Sequence, residues 1–336
     1  MQTAHRQDGD QRFHEILERI ARRQVTDADV QILNSRCKRN VTPAERREFN
    51  RIEPTATPFL SAHRASVRAN NLADLIRTRA AIVLIRAIHE PANARVPRQA
   101  SDQLKRLARH VSTEQAGGLV ETLELCIGAR VRLKINLDVR NGLVNGSIGI
   151  VRYMVYNLED VYGQDNNVRQ AMPAVVVVEF ENVRPQGRVD IPVDAIRDLT
   201  TQRQYRLQQL NPLHVRTQLV PITPYQTRFL VRNEHNTIRG WMTRTQIPLT
   251  LAFASTVHSV QGATLERARI DPGNSDFDSN LIYVALSRVR HLDNILLINE
   301  LTRERLNKVD NLTKLRLEFE RRVARLINEL PESESD

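Results

Sequence analysis

Cysteines and long apolar runs are scarce in this sequence. Its 336 residues include two cysteines, Cys37 and Cys126, which stand far apart and outside any CxxC or Cys/His cluster. This spacing excludes a disulfide framework and a common zinc site, and it fits a reducing compartment. No apolar run approaches the roughly 18 residues of a membrane span, and the polar N-terminus lacks a signal segment. We therefore expect a soluble intracellular protein with no membrane partner.

Aromatic residues are also scarce, and the 39 acidic residues are outnumbered by 49 basic ones. Aromatics make up 4% of the chain, with Trp241 the one tryptophan, whereas the net charge is +10. Such a cationic surplus is typical of proteins that bind polyanions, most often nucleic acid, although a basic protein without such a partner has the same composition. The chain contains no Gly-Lys dipeptide, which excludes a G-x-x-x-x-G-K-[ST] phosphate loop within these residues.

The N-terminal third has an α/β pattern, and the length fits about two domains. Apolar residues at 13, 16, 17 and 20 have helical spacing, and Thr26 is a suitable N-cap for a second helix. The charged, proline-containing segment 36–58 is predicted to be a loop or linker. A short strand at Phe59–Ser61 followed by a helix suggests a βα unit, with more helix expected over 72–88 and 101–111.

The pattern changes to β-structure near residue 130. The stretch "ARVRLKI" alternates, so one strand face carries Val131, Leu133 and Ile135 and the other carries Arg130, Arg132 and Lys134. Asn145-Gly146 is a hairpin signal between apolar runs. Further strands are predicted at 174–180, 188–193 and 227–233. Residues 130–245 are therefore expected to form a small antiparallel β unit, a candidate barrel inserted into an α/β domain.

The α/β pattern returns after residue 246. "PLTLAFAST" is a continuous apolar run, as expected for a strand covered on both faces. "LIYVALSRV" and "NILLINEL" are predicted to contain two more strands. Apolar residues three or four apart over 312–330 predict an amphipathic helix that docks on its own domain.

Three segments carry residues suited to chemistry. The strand end "TVHSVQGATLE" offers hydroxyl and amide donors for phosphate, although a polar turn with a locally satisfied His258 explains it equally. In "LIYVALSRVR" a predicted strand, Tyr283 to Leu286, delivers Arg288, whose planar guanidinium suits a phosphoryl group; a surface arginine or ion pair is the alternative. The glycine-rich block 128–149 is either a backbone-tracking β unit or a plain hairpin.

Taken together in this order, the segments resemble the C-terminal half of the Pif-type (petite integration frequency) DNA helicases of superfamily 1. The resemblance is greatest to relatives encoded by Helitron transposons. The matching pieces are "IGARVRLKINLDVRNGLVNGSIGIV", "TQIPLTLAFASTVHSVQGAT" and "YVALSRVRHLDNILLIN". The segment "HRQDGDQRFHEILERIARRQVTDADVQILNSR" resembles the part that follows the family's first nucleotide-binding domain. The resemblance spans nearly the whole chain and is weaker over 72–118 and 195–240.

The resemblance implies an α/β fold of two RecA-like domains, each a parallel sheet flanked by helices, which clamp ATP between them. This chain then corresponds to the second RecA-like domain, residues 1–129 and 246–336, with leading helices and a linker over 1–58. Residues 130–245 would form the inserted small antiparallel β-barrel, and 331–336 a disordered tail. The family's phosphate loop and magnesium carboxylates belong to its first domain. The complete enzyme would use ATP and Mg²⁺, and this chain alone would bind neither.

The resemblance also implies roles for single residues. Arg6 resembles the motif-four arginine and Arg288 the motif-six arginine finger, and such arginines are worth roughly 10³–10⁵ in rate in related phosphoryl-transfer enzymes. "STVHSVQG" resembles motif five, which contacts single-stranded DNA and couples it to the nucleotide site. The predicted DNA contacts are Thr256, His258, Arg130 and Lys134. The predicted nucleotide contacts are Gln261, Gly262 and Arg288, and no metal ligand is predicted.

Two residues depart from the family pattern. Ser259 stands where the family usually has lysine after the motif-five histidine, so one cation for a phosphate is lost. Arg132 stands where the family's barrel strand usually has an apolar residue, on the outward face of the predicted strand.

The expected function is that of the C-terminal part of an ATP-dependent helicase that translocates on single-stranded DNA and unwinds duplex. Its roles would lie in DNA repair, recombination, telomere maintenance or transposon replication, in the nucleus. Without a phosphate loop we expect half of a motor, the first domain being on a separate chain or lost from a truncated or wrongly assigned gene. The alternatives are a transposon-derived protein that binds single-stranded nucleic acid without ATPase activity, and a non-functional remnant.

Overall fold

The structure, a computed structural model, describes residues 9–52, 56–93, 96–156, 172–180, 219–273 and 279–308. The chain divides into two compact units, Met1–Arg68 with Ala254–Asp336 and Ala69–Phe253. These boundaries differ from the predicted ones, because 69–129 and 246–253 fall in the unit that holds the β-rich insertion. No described helix is long and apolar enough to cross a membrane.

The first unit begins with helices that follow the predicted spacing. Helix α1 is capped by Asp10, whose carboxylate accepts a hydrogen bond from the backbone N of Phe13 at 3.0 Å. Thr26 caps α2 through a reciprocal pair of bonds with Asp29, as its sequence position predicted. The helix bounds are α1 Gln11–Arg22, α2 Asp27–Ser35, α3 Pro43–Phe49, α4 Arg64–Arg77, α5 Arg98–Arg109, α6 Ser279–Leu286 and α7 Arg303–Asn307.

Helix α3 lies in the segment that was predicted to be a loop or linker, so that prediction was wrong for Pro43–Phe49. The charge and proline content concealed a complete helix start. Thr42 caps the helix, and Pro43 occupies its first turn. The Glu45 carboxylate accepts a hydrogen bond from the Thr42 backbone N at 2.9 Å. These bonds and the Arg36 guanidinium hold the pKa of Glu45 at about 2. Buried Phe49 then anchors the short helix.

A four-stranded parallel sheet forms the centre of the first unit. Its strands are β1 (Phe59–Ser61), β12 (Ala254–Thr256), β13 (Ala268–Asp271) and β14 (Ile295–Leu297), in the order β12-β1-β13-β14. A parallel sheet with flanking helices confirms the predicted RecA-like α/β fold. The strand β1, the helix after it and the strand at 295–297 were predicted, but the helix expected over 72–88 ends at Arg77.

The segment "LIYVALSRV" is a helix, α6, and the prediction of a strand there was wrong. Its buried residues are spaced at helical intervals, Ile282, Ala285, Leu286 and Val289, all fully buried. A short apolar run fits a buried strand and a buried helix equally well, so periodicity alone could not decide between them. As a consequence Arg288 follows the C-terminal end of a helix rather than the end of a strand.

The second unit is mostly antiparallel. Its strands are β2 Val83–Arg86, β3 Ile88–Pro91, β4 Thr122–Leu125, β5 Arg130–Leu133, β6 Ile148–Val155, β7 Val175–Phe180, β8 Leu219–Ile222, β9 Tyr225–Arg232, β10 Ile238–Gln246 and β11 Leu249–Leu251. They form three sheets, in the orders β11-β5-β6-β7-β8, β3-β10-β9 and β2-β4. The five-stranded sheet contains the predicted strands near 130 and 174. Its closure into a barrel stays a prediction.

The apolar run "PLTLAFAST" divides between the two units. Leu249–Leu251 pairs antiparallel with β5, whereas Ala254–Thr256 pairs parallel with β1. The prediction of one central strand over this run was therefore wrong. Phe253 and Ala252, both buried, separate the two short strands.

The sheet β3-β10-β9 packs one face on helix α5 and encloses a buried arginine. Arg244 is fully buried, and its guanidinium donates to the carbonyls of Leu119 at 2.9 Å and Ala108 at 2.7 Å, and to His89 Nε2 at 2.9 Å. Burial and the Arg244 charge lower the pKa of His89 to about 4, so the neutral ring accepts this bond. Glu121 Oε2 lies 3.2 Å from the same nitrogen, and burial raises the pKa of that carboxyl.

Gly149 is required by close contact between β6 and β7. A Cβ at this position would lie 2.5 Å from the Glu179 carbonyl oxygen and 2.6 Å from a Val178 methyl group. We expect Gly149→Ala to lower the free energy of unfolding by about 1–3 kcal/mol, because backbone must move to admit the methyl group. Denaturant titration measures this change in the free energy of unfolding. Gly240→Ala is the matched control, since its Cβ would meet only the two Leu104 methyl groups, at 3.5 and 3.6 Å. An equal loss of stability in both variants would contradict the argument.

Several predictions lie outside the described residues. They are the strand at 188–193, the helix over 312–330, the tail 331–336 and the position of Arg6.

Candidate nucleotide and nucleic-acid site

Three polar residues end neighbouring strands of the parallel sheet at the same level. Ser61, the last residue of β1, is paired in register with Thr256 of β12 on one side and with Asp271 of β13 on the other. Ligands of open α/β sheets bind outside the carboxyl ends of the strands. The predicted Thr256 therefore lies at the edge where a ligand of this fold is expected.

The turn after β12 is a 3₁₀ helix, Val257–Val260, with two distinct faces. Val257 and Val260 are buried in the core of the first unit and hold the turn in place. His258 and Ser259 are exposed. Ser259 Oγ donates to the Thr256 carbonyl oxygen at 2.8 Å, so this serine closes the turn on itself. The turn thus presents polar side chains to solvent from a fixed backbone.

Gly262 follows this turn in a backbone conformation that favours glycine. Its φ is +88°, and a Cβ there would meet no atom within 4 Å. Glycine is therefore needed for the conformation and not for packing, and the space beside it is open. Gln261 next to it is exposed, and its backbone N donates to the His258 carbonyl oxygen at 3.2 Å.

Arg288 lies beside the same segment. The backbone N of Leu265 donates to the Arg288 carbonyl oxygen at 2.8 Å, and helix α6 contacts the 3₁₀ turn. The Arg288 guanidinium folds back on α6, with Nε donating to the Val284 carbonyl oxygen at 2.9 Å and Nη2 to Ser287 Oγ at 2.9 Å. The fold thus brings together, within one unit, the two segments that were predicted to correspond to motifs five and six.

The basic strand β5 belongs to the second unit. Val131 and Leu133 are fully buried, as the alternation predicted, while Arg130, Arg132 and Lys134 are half-buried on the other side. Burial and the neighbouring Arg130 charge lower the pKa of Arg132. Burial and Arg132 lower the pKa of Lys134, against the opposing effect of Glu114. The positive charges of Arg130, Arg132 and Lys134 are therefore close enough along one face of β5 to repel one another.

The sequence prediction missed Ser61 and Asp271. Ser61 is fully buried, with its Oγ accepting from the His63 backbone N at 3.2 Å, and Asp271 Oδ1 accepts from Asn299 at 3.1 Å. The available signal was a polar residue at the end of a short apolar strand, in "FLSAH" and "RIDPG". Within the described ranges there is no group of three or more histidines, cysteines and carboxylates that could hold a metal ion.

The chain is similar in sequence to part of several Pif1-type DNA helicases. No protein-family profile matches the chain. The ATP-dependent DNA helicase PIF1 of Trypanosoma brucei brucei is 32% identical over 215 residues, covering 59% of this chain and 20% of that protein. The ATP-dependent DNA helicase Pif1 of a Psychrobacter species is 29% identical over 187 residues, covering 53% and 26%. The chain thus spans about a quarter or less of the length of these relatives.

Solved structures give the same result for the fold. The Pif1 helicase from Candida albicans superposes with a TM-score of 0.60 at 21% identity, over 95% of this chain and 59% of that one. A Bacteroides Pif1 gives 0.57 at 20% identity, over 95% and 55%. The relatives are Pif1-family ATP-dependent DNA helicases, and this chain is similar to part of them and has a RecA-like α/β fold.

Proposed function

We propose that this chain is the C-terminal part of an ATP-dependent helicase that translocates on single-stranded DNA and unwinds duplex. The observation that carries the proposal is the polar turn at the carboxyl end of β12, which lies next to Arg288 in one unit. Coupling of DNA binding to ATP hydrolysis needs a DNA-binding segment in contact with a nucleotide-binding one. Repair, recombination, telomere maintenance and transposon replication are the processes in which this activity would serve.

On the nucleotide side, the residues present suit a triphosphate. The open space beside Gly262 admits a phosphate group, and Arg288 carries a planar guanidinium that can bind phosphoryl oxygens with two donors. ATP, when bound, supplies the free energy of hydrolysis of its γ-phosphate. Arg288 would leave its bonds to α6 to reach that group. Arg6 is proposed for the same role. Mg²⁺ ligands are proposed to lie in a first RecA-like domain, which a separate chain would supply.

On the DNA side, exposed His258 and the Thr256 hydroxyl would contact the phosphate backbone, and Arg130 and Lys134 would do so in the other unit. A Bacteroides Pif1 of similar fold has been solved bound to single-stranded DNA. The crowding of cations on β5 supports an anionic partner. The charge of +10 fits it as well.

A salt titration tests the proposal. Fluorescence anisotropy of a labelled oligothymidylate should reveal binding at low salt that weakens linearly on a log–log scale. His258→Ala should weaken it at every salt concentration. The chain alone should hydrolyse almost no ATP. Absence of binding at low salt would contradict the DNA-binding half of the proposal, and robust DNA-stimulated hydrolysis by the pure chain would contradict the claim that it is half a motor.

Ser259→Lys should strengthen binding. The lysine adds a cation to the exposed side of the turn, and one more phosphate contact raises affinity about five- to tenfold near 50 mM salt while steepening the salt slope by about 0.7. Ser259→Ala is the control, since it loses the bond to Thr256 without adding charge. If lysine and alanine variants bind equally, the turn does not contact phosphate.

A second candidate is a stand-alone protein that binds single-stranded nucleic acid without ATPase activity. This function needs only the residues proposed to contact DNA, and the basic face of β5 favours it. It predicts the same titration, but with no gain of hydrolysis when a first RecA-like domain is supplied.

A further inference from the structure

The outer face of the sheet β3-β10-β9 is exposed, basic and aromatic. The opposite face packs on helix α5 through Phe229, Val231 and Met242. Strand register then places Leu230 opposite Trp241 and Arg228 opposite Thr243 on the outer face. Trp241 is 46% exposed, and Ile88 and Ile238 on the same face are 48% and 54% exposed.

Trp241 and Arg228 form the centre of this outer face. The Arg228 guanidinium carbon lies 4.6 Å from the centroid of the indole ring, in cation–π contact. Among the described residues no carboxylate forms an ion pair with Arg228. The guanidinium therefore lies over the indole ring, and both side chains are exposed on the outer face.

The surroundings of this pair are polar and mainly cationic. Gln226 and Thr245 are paired across the strands, with the amide donating to the hydroxyl at 3.3 Å. Arg232 lies at the end of the same face and donates to the Asn236 carbonyl oxygen at 3.0 Å. Glu90 is the acidic residue on the face. The amide and hydroxyl groups offer donors and acceptors to the edge of a base.

We propose that this outer face is a second contact site for single-stranded nucleic acid, in which a base stacks on Trp241 while Arg228 and Arg232 contact the backbone. An exposed aromatic residue on a sheet, flanked by cations, is how proteins stack unpaired bases. The proposal rests on the proposed function, since it adds a site for the same ligand class in the second unit.

Charge complementarity favours nucleic acid over a protein partner. Arg228 and Arg232 lie on the outer face with one carboxylate, that of Glu90, so the face has a net positive charge around Trp241. An unpaired strand supplies both an aromatic ring and a negative charge with each nucleotide.

Because Trp241 is the one tryptophan in the chain, its emission reports on this face alone. The experiment uses the 336-residue chain and an oligothymidylate of about 15 nucleotides, followed by tryptophan emission and by anisotropy of a fluorescein label. Binding should quench the emission. Trp241→Ala should weaken binding about 5- to 100-fold, and Trp241→Phe, which keeps a ring, should weaken it less.

Ile76→Ala is the matched control, because Ile76 is a 58% exposed apolar residue of helix α4 in the same unit. It should bind like the parent, and circular dichroism should show that all variants are folded.

Arg228→Glu should weaken binding and reduce the salt slope. Undiminished binding by Trp241→Ala with unquenched emission in the parent overturns this inference and leaves the proposed function intact. Loss of binding by Ile76→Ala to the same degree also overturns it, and absence of any binding by the parent overturns both.

Discussion

Replacing Arg244 with methionine is expected to lower the free energy of unfolding of the second unit by about 3–5 kcal/mol. The guanidinium donates to three backbone carbonyls, those of Leu119, Ala108 and Val111, and to His89. Methionine fills a similar volume but leaves these acceptors without donors in a buried site. Each unpaired buried acceptor costs about 1–3 kcal/mol. Denaturant titration by circular dichroism measures the change.

Arg239→Met is the control for this change. Arg239 lies on the same strand, β10, but is exposed, so the identical substitution should alter the free energy of unfolding by no more than about 0.5 kcal/mol. Arg244→Lys should recover part of the loss, since an ammonium group can reach some of the acceptors. If Arg244→Met is as stable as the parent, the buried network is not a determinant of the fold.

Replacing Arg288 with alanine is expected to lower ATP turnover about 10³-fold or more in a protein that supplies a phosphate loop. A fusion of this chain to the first RecA-like domain of the Psychrobacter relative is a suitable form. On the proposed role, the variant loses the guanidinium donors that would stabilise the negative charge developing on the transferred phosphoryl group. Single-stranded-DNA-stimulated phosphate release measures turnover, and anisotropy should show unchanged DNA binding.

Arg290→Ala controls for the general loss of a cation near the same helix end, because Arg290 is exposed two residues later. Its turnover should stay within about twofold of the parent fusion, since it removes no transition-state contact. Arg288→Lys should remain strongly impaired, because an ammonium group cannot bind two phosphoryl oxygens at once. Turnover of Arg288→Ala within about tenfold of the parent would exclude an arginine-finger role.

Local patterns predicted the elements whose signals are local. The spacing of Phe13, Ile16, Leu17 and Ile20, the capping role of Thr26 and the alternation about Val131 and Leu133 all correspond to the structure. The same local logic failed at α3 and α6. In α3 the capping residues lie within a charged segment of the kind typical of loops. In α6 eight mostly apolar residues are compatible with a strand or a helix.

The candidate site was predicted where its residues belong to short segments with a recognisable pattern, such as the one that ends at Arg288. Thr256 to Gly262 is one segment, and its polar character is visible in the sequence. Ser61 and Asp271 join it only through parallel pairing with strands that are distant along the chain, which no single-sequence pattern encodes. The break of "LTLAFAST" at Ala252 and Phe253 could not be predicted for the same reason. The two short strands pair with β5 and β1, which are distant along the chain.

The pairing of β1 with β12 has a consequence for synthesis of the chain. Phe59 is held against Ala254, so β1 leaves the ribosome long before the strand beside it exists. The insertion Ala69–Phe253 contains its own three sheets and can acquire them first. Until then the N-terminal helices expose the apolar face that α6 and β14 later cover. A pause in translation after residue 253 would give the insertion time to fold, whereas a pause before residue 253 would prolong the exposure of this apolar face.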